Sequence, residues 1–310
     1  MFSNTLCSYE QRGKYGNAKY RGNCSGKIIE DIITTPMYKF FDKSGKVISD
    51  LSDYMVGSGT TEDVCRAYGI PGIFLDLNRG FDLMTMDIPN HPKNIFWHPP
   101  YGNMITYSDN MYSAQSIIEK YGFDPRKNDL SRALDWDDFM EKTNYCESKL
   151  FHALEKGGRL FILVGDWKQR GVLYSMLCDL AKLGTLEQII IKAEHNCFSD
   201  NNTYANNNFI KIQHEYLIVL RKDNALIIPV SYITKANYDV RECVYATLKQ
   251  ILRAILEEKG AMYLKDIYSE IANSYPAKVS GNSNYEAKCR QILQDERFFI
   301  KIEPGLYKAA

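Results

Sequence analysis

The stretch Asp53-Tyr54-Met55-Val56-Gly57-Ser58-Gly59-Thr60-Thr61 constrains the fold of this chain more than any other. The run from Lys46 to Met55 before it reads as a strand entering a turn, and Glu62 to Tyr68 after it reads as a helix. Two glycines at such a junction let backbone approach a ligand closely and aim helix N–H groups at it. No lysine follows them, which excludes a phosphate-cradling P-loop. Glu62 stands where a dinucleotide-binding turn carries its third glycine. Gly72-Ile73-Phe74-Leu75-Asp76 is a second apolar run, closed by an acid suited to two ribose hydroxyls.

A ligand with a ribose and no pyrophosphate fits this pairing, and S-adenosyl-L-methionine is that ligand. Asp53 is then a candidate for its ammonium group, and Asp87, near the end of a third expected strand, for its adenine amino group. Each acid also has a plain reading, as a turn or strand-end carboxylate, and the glycine pair alone equally suits a tight strand–helix turn.

The same alternation continues. Ile28, Ile29, Ile32 and Ile33 mark a helix within Lys27 to Phe41, limited by Pro36. Residues 1–27 read as loop. Asn94 to Trp97, Arg159 to Gly165, Gln188 to Lys192 and Glu215 to Leu220 read as strands, and Trp136 to Leu154 and Val172 to Leu183 as helices. Strands alternating with helices predict an α/β fold with a mostly parallel, doubly wound sheet. The polar stretch from Asn103 to Asn128 is too long for an ordinary connection.

Composition changes near Tyr238, which predicts domains of 1–238 and 239–310. In the second, helices over Leu248 to Lys259, Leu264 to Ala272 and Tyr285 to Gln294 precede a strand–turn–strand from Phe298 to Tyr307. Three short helices and a hairpin is the order of a winged helix.

Phe96-Trp97-His98-Pro99-Pro100-Tyr101-Gly102 carries the chemistry. An exocyclic amine on a base is a poor nucleophile, because its lone pair is delocalised into the ring. Acceptors that bond the amino hydrogens turn that lone pair outward. The side chain at 98 and the carbonyl of Pro99 can both do so. The proline pair fixes a rigid turn without competing N–H groups, and Tyr101 offers a face to a flipped-out base. Without the upstream glycine unit, the same residues would fit a proline-rich turn packing an aromatic. No Pro-Cys dipeptide occurs, which argues against attack on cytosine C5.

These residues resemble the amino-methylating DNA methyltransferases, which make N6-methyladenine or N4-methylcytosine. Residues 53–61 are similar to their D-P-F-x-G-S-G-T-T cofactor motif, with Tyr54 and Met55 replacing Pro-Phe. Residues 20–27 resemble the upstream element that closes over the methionine end of the cofactor. Residues 96–102 resemble the catalytic motif, with His98 in place of Asp, Asn or Ser. The resemblance covers about residues 15–222. It implies a Rossmann-like class I methyltransferase, with His98, Pro99, Pro100 and Tyr101 as catalytic pocket. It also implies a cofactor site of Asn23, Cys24, Ser25, Asp53, Val56, Gly57, Ser58, Gly59, Thr60, Thr61, Asp76 and Asp87.

The partner it implies is double-stranded DNA, with adenine N6 favoured over cytosine N4 as target. A cognate restriction nuclease and a homodimer are further expectations. RNA or a protein glutamine are alternative substrates, and a non-catalytic DNA-binding protein that kept the fold is a third reading. The C-terminal segment takes the place of a target reader, with Lys278, Lys288 and Arg290 toward phosphates and Asn282, Ser283 and Asn284 toward base edges. The 103–128 stretch and the Asn-rich run 201–208 are other candidates for gripping DNA.

The formal charge is zero, with 38 basic and 38 acidic residues, so any DNA-facing surface must be local. The 8 cysteines include no C-x-x-C. His195 and Cys197 with His214 are the nearest approach to a metal set, and are read as strand-end and core residues; no metal is expected. Scattered thiols, no signal peptide and no apolar run long enough to span a bilayer predict a cytoplasmic protein without a membrane partner.

Overall fold

The computed structural model describes residues 1–195, 210–231, 246–281 and 283–310. It divides into two compact units, Met1–Ile233 and Thr234–Ala310. The expected boundary at 238 lies outside the described residues, as does the Asn-rich run 201–208.

In the first unit the elements run β1 (Leu6–Ser8), α1 (Gly26–Thr34), α2 (Thr60–Tyr68), β2 (Asn94–Trp97), α3 (Ala114–Tyr121), α4 (Trp136–Ala153) and β3 (Arg159–Gln169). They continue β4 (Val172–Ser175), α5 (Met176–Asp179), β5 (Lys182–Leu183), β6 (Thr185–Ala193), β7 (His214–Arg221) and β8 (Val230–Ser231). The main sheet is ordered β1-β6-β7-β3-β2. Beyond β2 it is continued by single bridges, Ser52 to Ile95 and Asp53 to Phe74.

Strand side chains alternate between two cores, as a sheet buried on both faces requires. Ile95, Trp97, Leu160, Ile162, Val164, Ile218 and Leu220 pack with Phe139, Leu150 and Phe151 of α4. Phe96, Phe161, Leu163, Leu217 and Val219 pack with Ile28, Ile29, Ile32 and Ile33 of α1 and with Val64 and Cys65 of α2. Each of those isoleucines is at most 1% exposed, worth about 2 kcal/mol apiece against leaving it in water. Ser25 caps α1 by accepting from the Lys27 N–H, and the helix stops before Pro36.

Four expectations need correction. β7 is antiparallel to both neighbours, β3 and β6, so the sheet is mixed. An antiparallel return needs no crossover helix, and the sequence between Ala193 and His214 has an Asn-rich run in place of a helical period. The stretch from Lys46 to Met55 forms bridges and not a regular strand, because Ser52 gives its side chain to the Ile73 N–H and the chain turns at once into the glycine loop. No regular strand precedes Asp87, since Asp82 caps a series of turns through Met84, Thr85 and Met86. Val172 to Leu183 is not one helix. Arg170 and Gly171, at φ 50° and 82°, form a two-residue turn that folds β4 back onto the end of β3. In addition, β1, within a segment read as loop, pairs parallel with β6.

The second unit runs α6 (Leu248–Lys259), β9 (Met262–Tyr263), α7 (Leu264–Ser274), α8 (Pro276–Val279), α9 (Tyr285–Ile292), β10 (Phe299–Glu303) and β11 (Leu306–Ala309). A capping box of Thr247 and Gln250 opens α6. The strands form an antiparallel sheet ordered β10-β11-β9. Its core joins Ile251, Ile255, Ile267, Ile271, Cys289 and Phe299.

Candidate active site

Ligands of open α/β sheets bind outside the carboxyl ends of the parallel strands. Here the bridged segment ends in the glycine turn, the segment beside it ends at Asp76, and β2 runs directly into His98. A cleft of about 820 Å³, including its open mouth, lies at this end.

Gly57 and Gly59 adopt φ 48° and 85°, the left-handed region that favours glycine. A Cβ on Gly57 would press on the Tyr20 ring at 3.3 Å. The Gly57 N–H donates to Asp76 Oδ2 at 2.9 Å and the Asn78 N–H to Oδ1 at 3.0 Å, so the acid both locks the turn and lines the cleft. Asp53 is 2% exposed. It accepts from Thr61 Oγ1 at 2.6 Å and the Met55 N–H at 3.0 Å. Burial raises its carboxyl to about 7, with those two hydrogen bonds opposing. Thr60 Oγ1 donates to Asn23 Oδ1 at 2.5 Å, tying the upstream element to the turn.

Asn23, Cys24, Asp53, Val56, Gly57, Ser58, Thr60, Thr61 and Asp76 all line this cleft. Gly59 stands at the N-terminus of α2 and is not among the lining residues. Ser25 lines a second cavity instead. Asp87 is exposed and lines neither. Asp82, five residues earlier and 3% exposed, lines the first; it accepts from the Met84 N–H and from Asn128 Nδ2 at 2.6 Å. Phe81, Leu83 and Leu130 give the cleft an apolar wall.

The 103–128 stretch folds over the cleft and supplies Tyr107, Tyr112 and Asn128. It contains α3, and is tied down by buried Asp129, which accepts from the Ser108 N–H and hydroxyl and from Ser131. Tyr107 stacks on Tyr20, ring centroids 5.8 Å apart. None of these roles was visible in the spacing of motifs. The tyrosine content of 103–128 was the one available signal.

The second cavity lies on the other side of His98. Tyr9, Arg12, His98, Pro99, Tyr101, Lys192, Glu194 and Glu215 are among its walls. The two cavities share Gly22, Asn23, Cys24, His98 and Tyr107. Pro100 faces the first and Pro99 and Tyr101 the second, so the Pro-Pro turn is the wall where they meet. Cys24 is buried, and its thiol is pushed up to about 12, which keeps it protonated and unreactive at neutral pH.

A polar relay backs this wall. His98 Nε2 lies 2.9 Å from Tyr101 Oη, and Tyr101 donates to Glu215 Oε1 at 2.6 Å. Lys192 Nζ donates to Glu215 Oε2 at 2.6 Å and also to Glu194. Burial alone would raise Glu215, but the Lys192 ammonium and His98 outweigh it and hold the carboxyl low. Burial lowers His98 below 6.5, with Glu215 opposing and Lys192 assisting. Cross-strand register builds the relay: Gly165 of β3 faces Glu215 of β7, which faces Lys192 of β6. Tyr101 lies over Gly165, where a Cβ would sit 2.7 Å from its ring.

His195 pairs with Ser8 Oγ and His214 with Tyr216 Oη; Cys197 lies outside the described residues. No group of side chains suited to a metal occurs among the described residues, and no helix among them is long and apolar enough to cross a membrane. In the second unit Lys288, Arg290, Ser283 and Asn284 are exposed. Lys278 donates to the Ala246 carbonyl, and Asn282 lies outside the described residues.

No family model and no curated protein matches the chain. Among solved structures it is similar to a candidate DNA modification methylase from Thermus thermophilus, with a TM-score of 0.27 and 17% identity over 61% of this chain and 56% of that one. The complex of that methylase with S-adenosyl-L-methionine gives 0.29 and 16%, over 60% and 59%. A S-adenosylmethionine-dependent methyltransferase from Clostridium acetobutylicum gives 0.26 and 9%, over 64% and 99%. The chain thus spans under two thirds of the Thermus protein. With TM-scores this low, the reading of the site rests on its own geometry.

Proposed function

We propose that this chain is a methyltransferase that uses S-adenosyl-L-methionine to methylate the exocyclic amine of a base in DNA, adenine N6 in preference to cytosine N4. The observation that carries the reading is the meeting of two cavities at His98 and the Pro-Pro turn. One has the features of a nucleoside site: an acid beside a glycine turn, an apolar wall, and a buried Asp82 paired with half-buried Asn128. The other is walled by the groups that would grip an amine.

The cleft residues fit the cofactor. Among the described residues, Asp76 accepts from one N–H on each oxygen, leaving lone pairs for ribose hydroxyls. Asp53, raised to about 7 by burial, is a carboxyl that a nearby ammonium would ionise. The cofactor supplies an electrophilic methyl group. The chain does the rest: His98 and the Pro99 carbonyl accept the two amino hydrogens and turn the nitrogen lone pair toward the first cavity. Neutral His98 can also take the proton that the nitrogen sheds. Tyr101 borders the acceptor's ring.

The second unit supports a DNA substrate. Its order of helix, strand, helices and antiparallel hairpin is that of a winged helix, with α9 as the reading helix. Exposed Lys288 and Arg290 on α9 are suited to phosphates.

Transfer of labelled methyl groups to duplex DNA, RNA and protein, with Tyr101→Ala as control, tests the proposal. Label in DNA that is lost in the control is expected, and base calling on the product reports adenine or cytosine. Label in RNA or in protein glutamine alone would move the substrate. Cofactor binding with no transfer to any of the three would favour a non-catalytic DNA-binding protein.

A further inference from the structure

We infer that Glu215, anchored by Lys192, acts through Tyr101 to hold His98 as the tautomer protonated on Nε2, so that bare Nδ1 is the atom that accepts the substrate's amino hydrogen. This deepens the proposed reaction and rests on it for its catalytic meaning, although the tautomer itself is a property of the protein alone.

Counting protons leads to the assignment. Glu215 is a carboxylate and only accepts. Its Oε2 takes the Lys192 ammonium at 2.6 Å, and its Oε1 takes the Tyr101 hydroxyl at 2.6 Å. A phenol has one proton, and that proton is spent on Glu215. Toward His98 Nε2, 2.9 Å away, Tyr101 Oη is therefore left with only lone pairs, and the imidazole must be the donor. Nδ1 has no hydrogen-bond partner among the described residues. In a neutral ring it is the free acceptor.

Two conditions make the relay one-directional. The first is charge. Lys192 is 5% exposed and shared with Glu194, and burial together with Glu215 pushes Glu194 up to about 7. Lys192 holds Glu215, the carboxylate that Tyr101 meets, well below neutral pH, so that Glu215 stays ionised and only accepts. The second is space. Gly165 faces Glu215 across the sheet, and only a residue without Cβ lets the Tyr101 ring lie there. The charged groups acting on His98 are Glu215 from β7 and Lys192 from β6. Burial of the ring favours the neutral state that the assignment requires.

An Asp at position 98 presents an acceptor oxygen whatever its neighbours do, and an Asn does so once its amide is turned oxygen first. An imidazole presents an acceptor toward the substrate only if the correct nitrogen is bare. The relay thus supplies what the substitution of His for those residues would otherwise forfeit. Tyr101 and Glu215 become positioning residues for this one ring.

Nitrogen chemical shifts of the five histidines in uniformly labelled full-length protein test this without any substrate. The His98 signals are those missing from His98→Asn. At pH 7.5 we expect Nε2 in the protonated range and Nδ1 in the unprotonated range. Tyr101→Phe removes the relay, and the two shifts should converge as the tautomers average. Glu215→Gln should invert the pattern. Lys192 would claim the amide oxygen, the amide NH2 would face Tyr101, and the hydroxyl would turn to donate to Nε2. Both variants should lower kcat by about tenfold to a hundredfold with cofactor affinity unchanged. A wild-type ring protonated on Nδ1, or averaged, overturns the inference, and so does either variant with the wild-type pattern. Absence of methyl transfer to any substrate would count against the proposed reaction and leave the shift pattern to decide the tautomer.

Discussion

Glu147 offers the most direct test of the electrostatics of this core. It lies on the buried face of α4, is 0% exposed, and neither of its carboxyl oxygens has a hydrogen-bond partner among the described residues. Burial raises its pKa from 4.5 to about 8, with Lys182 opposing only in part; that ammonium is bonded to the Leu177 and Leu180 carbonyls. Between pH 4.5 and 8 the folded protein therefore holds a proton that the unfolded chain has released. Stability is fully present below the lower value and is lost as pH rises through the upper one, at about 1.4 kcal/mol per pH unit. From pH 5 to 7.5 the loss amounts to about 3 kcal/mol. Glu147→Met keeps the volume, leaves Lys182 its two carbonyls and removes the titration. The advantage of the variant over wild type should accordingly grow by about 3 kcal/mol across that interval. Urea unfolding followed by tryptophan fluorescence measures it, because all three tryptophans, at 97, 136 and 167, report on the first unit. Taking the difference between the two proteins cancels the titrating groups that do not act on Glu147. Stability curves that run parallel from pH 5 to 7.5 would refute the reasoning.

Three further outcomes follow from the site. Methyl transfer should fall on acidification with a midpoint below 6.5, since burial lowers His98 and only the neutral ring accepts. His98→Asn should lose that limb while keeping any due to Asp53, and the same limb in both proteins would sink the idea. Asp76→Asn keeps an acceptor for only one of the Gly57 and Asn78 N–H groups, sets its amide NH2 against the other, and loses the charge. Calorimetry should show cofactor affinity down about tenfold to a hundredfold, and an unchanged Kd would remove Asp76 from the ribose. Gly165→Ala places a Cβ 2.7 Å from the Tyr101 ring and should cost about 1–3 kcal/mol of stability. It should also lower kcat with no change in cofactor affinity; full activity would show that Tyr101 does not need its place over β3.

The cofactor side of the site was legible because its parts are local. The glycine turn, its acid one strand later and the Pro-Pro turn each occupy a few consecutive residues, and backbone sterics force their types. The lid was half legible. Tyr20 lay in an upstream motif, but Tyr107, Tyr112 and Asn128 reach the cleft only because Asp129 ties their segment back, and no periodicity encodes that. Asp87 was named from its place near an expected strand end, and the turns around Asp82 leave it exposed while Asp82 lines the cleft.

The relay was hidden by a single error, the direction of β7. In a parallel β7, Glu215 at the strand's start would lie at the end of the sheet away from Tyr101, 114 residues earlier in the chain. With β7 antiparallel, its first residues return to the carboxyl ends of β3 and β6, where Lys192 ends its own strand and Gly165 leaves room. Reversing one strand therefore turns a strand-end glutamate and a strand-end lysine into a buried ion pair behind the candidate pocket. A buried pair of this kind is weak grounds for stability, since desolvation offsets much of its attraction. Its aim through Tyr101 at one nitrogen of His98 gives it a chemical role in place of a structural one.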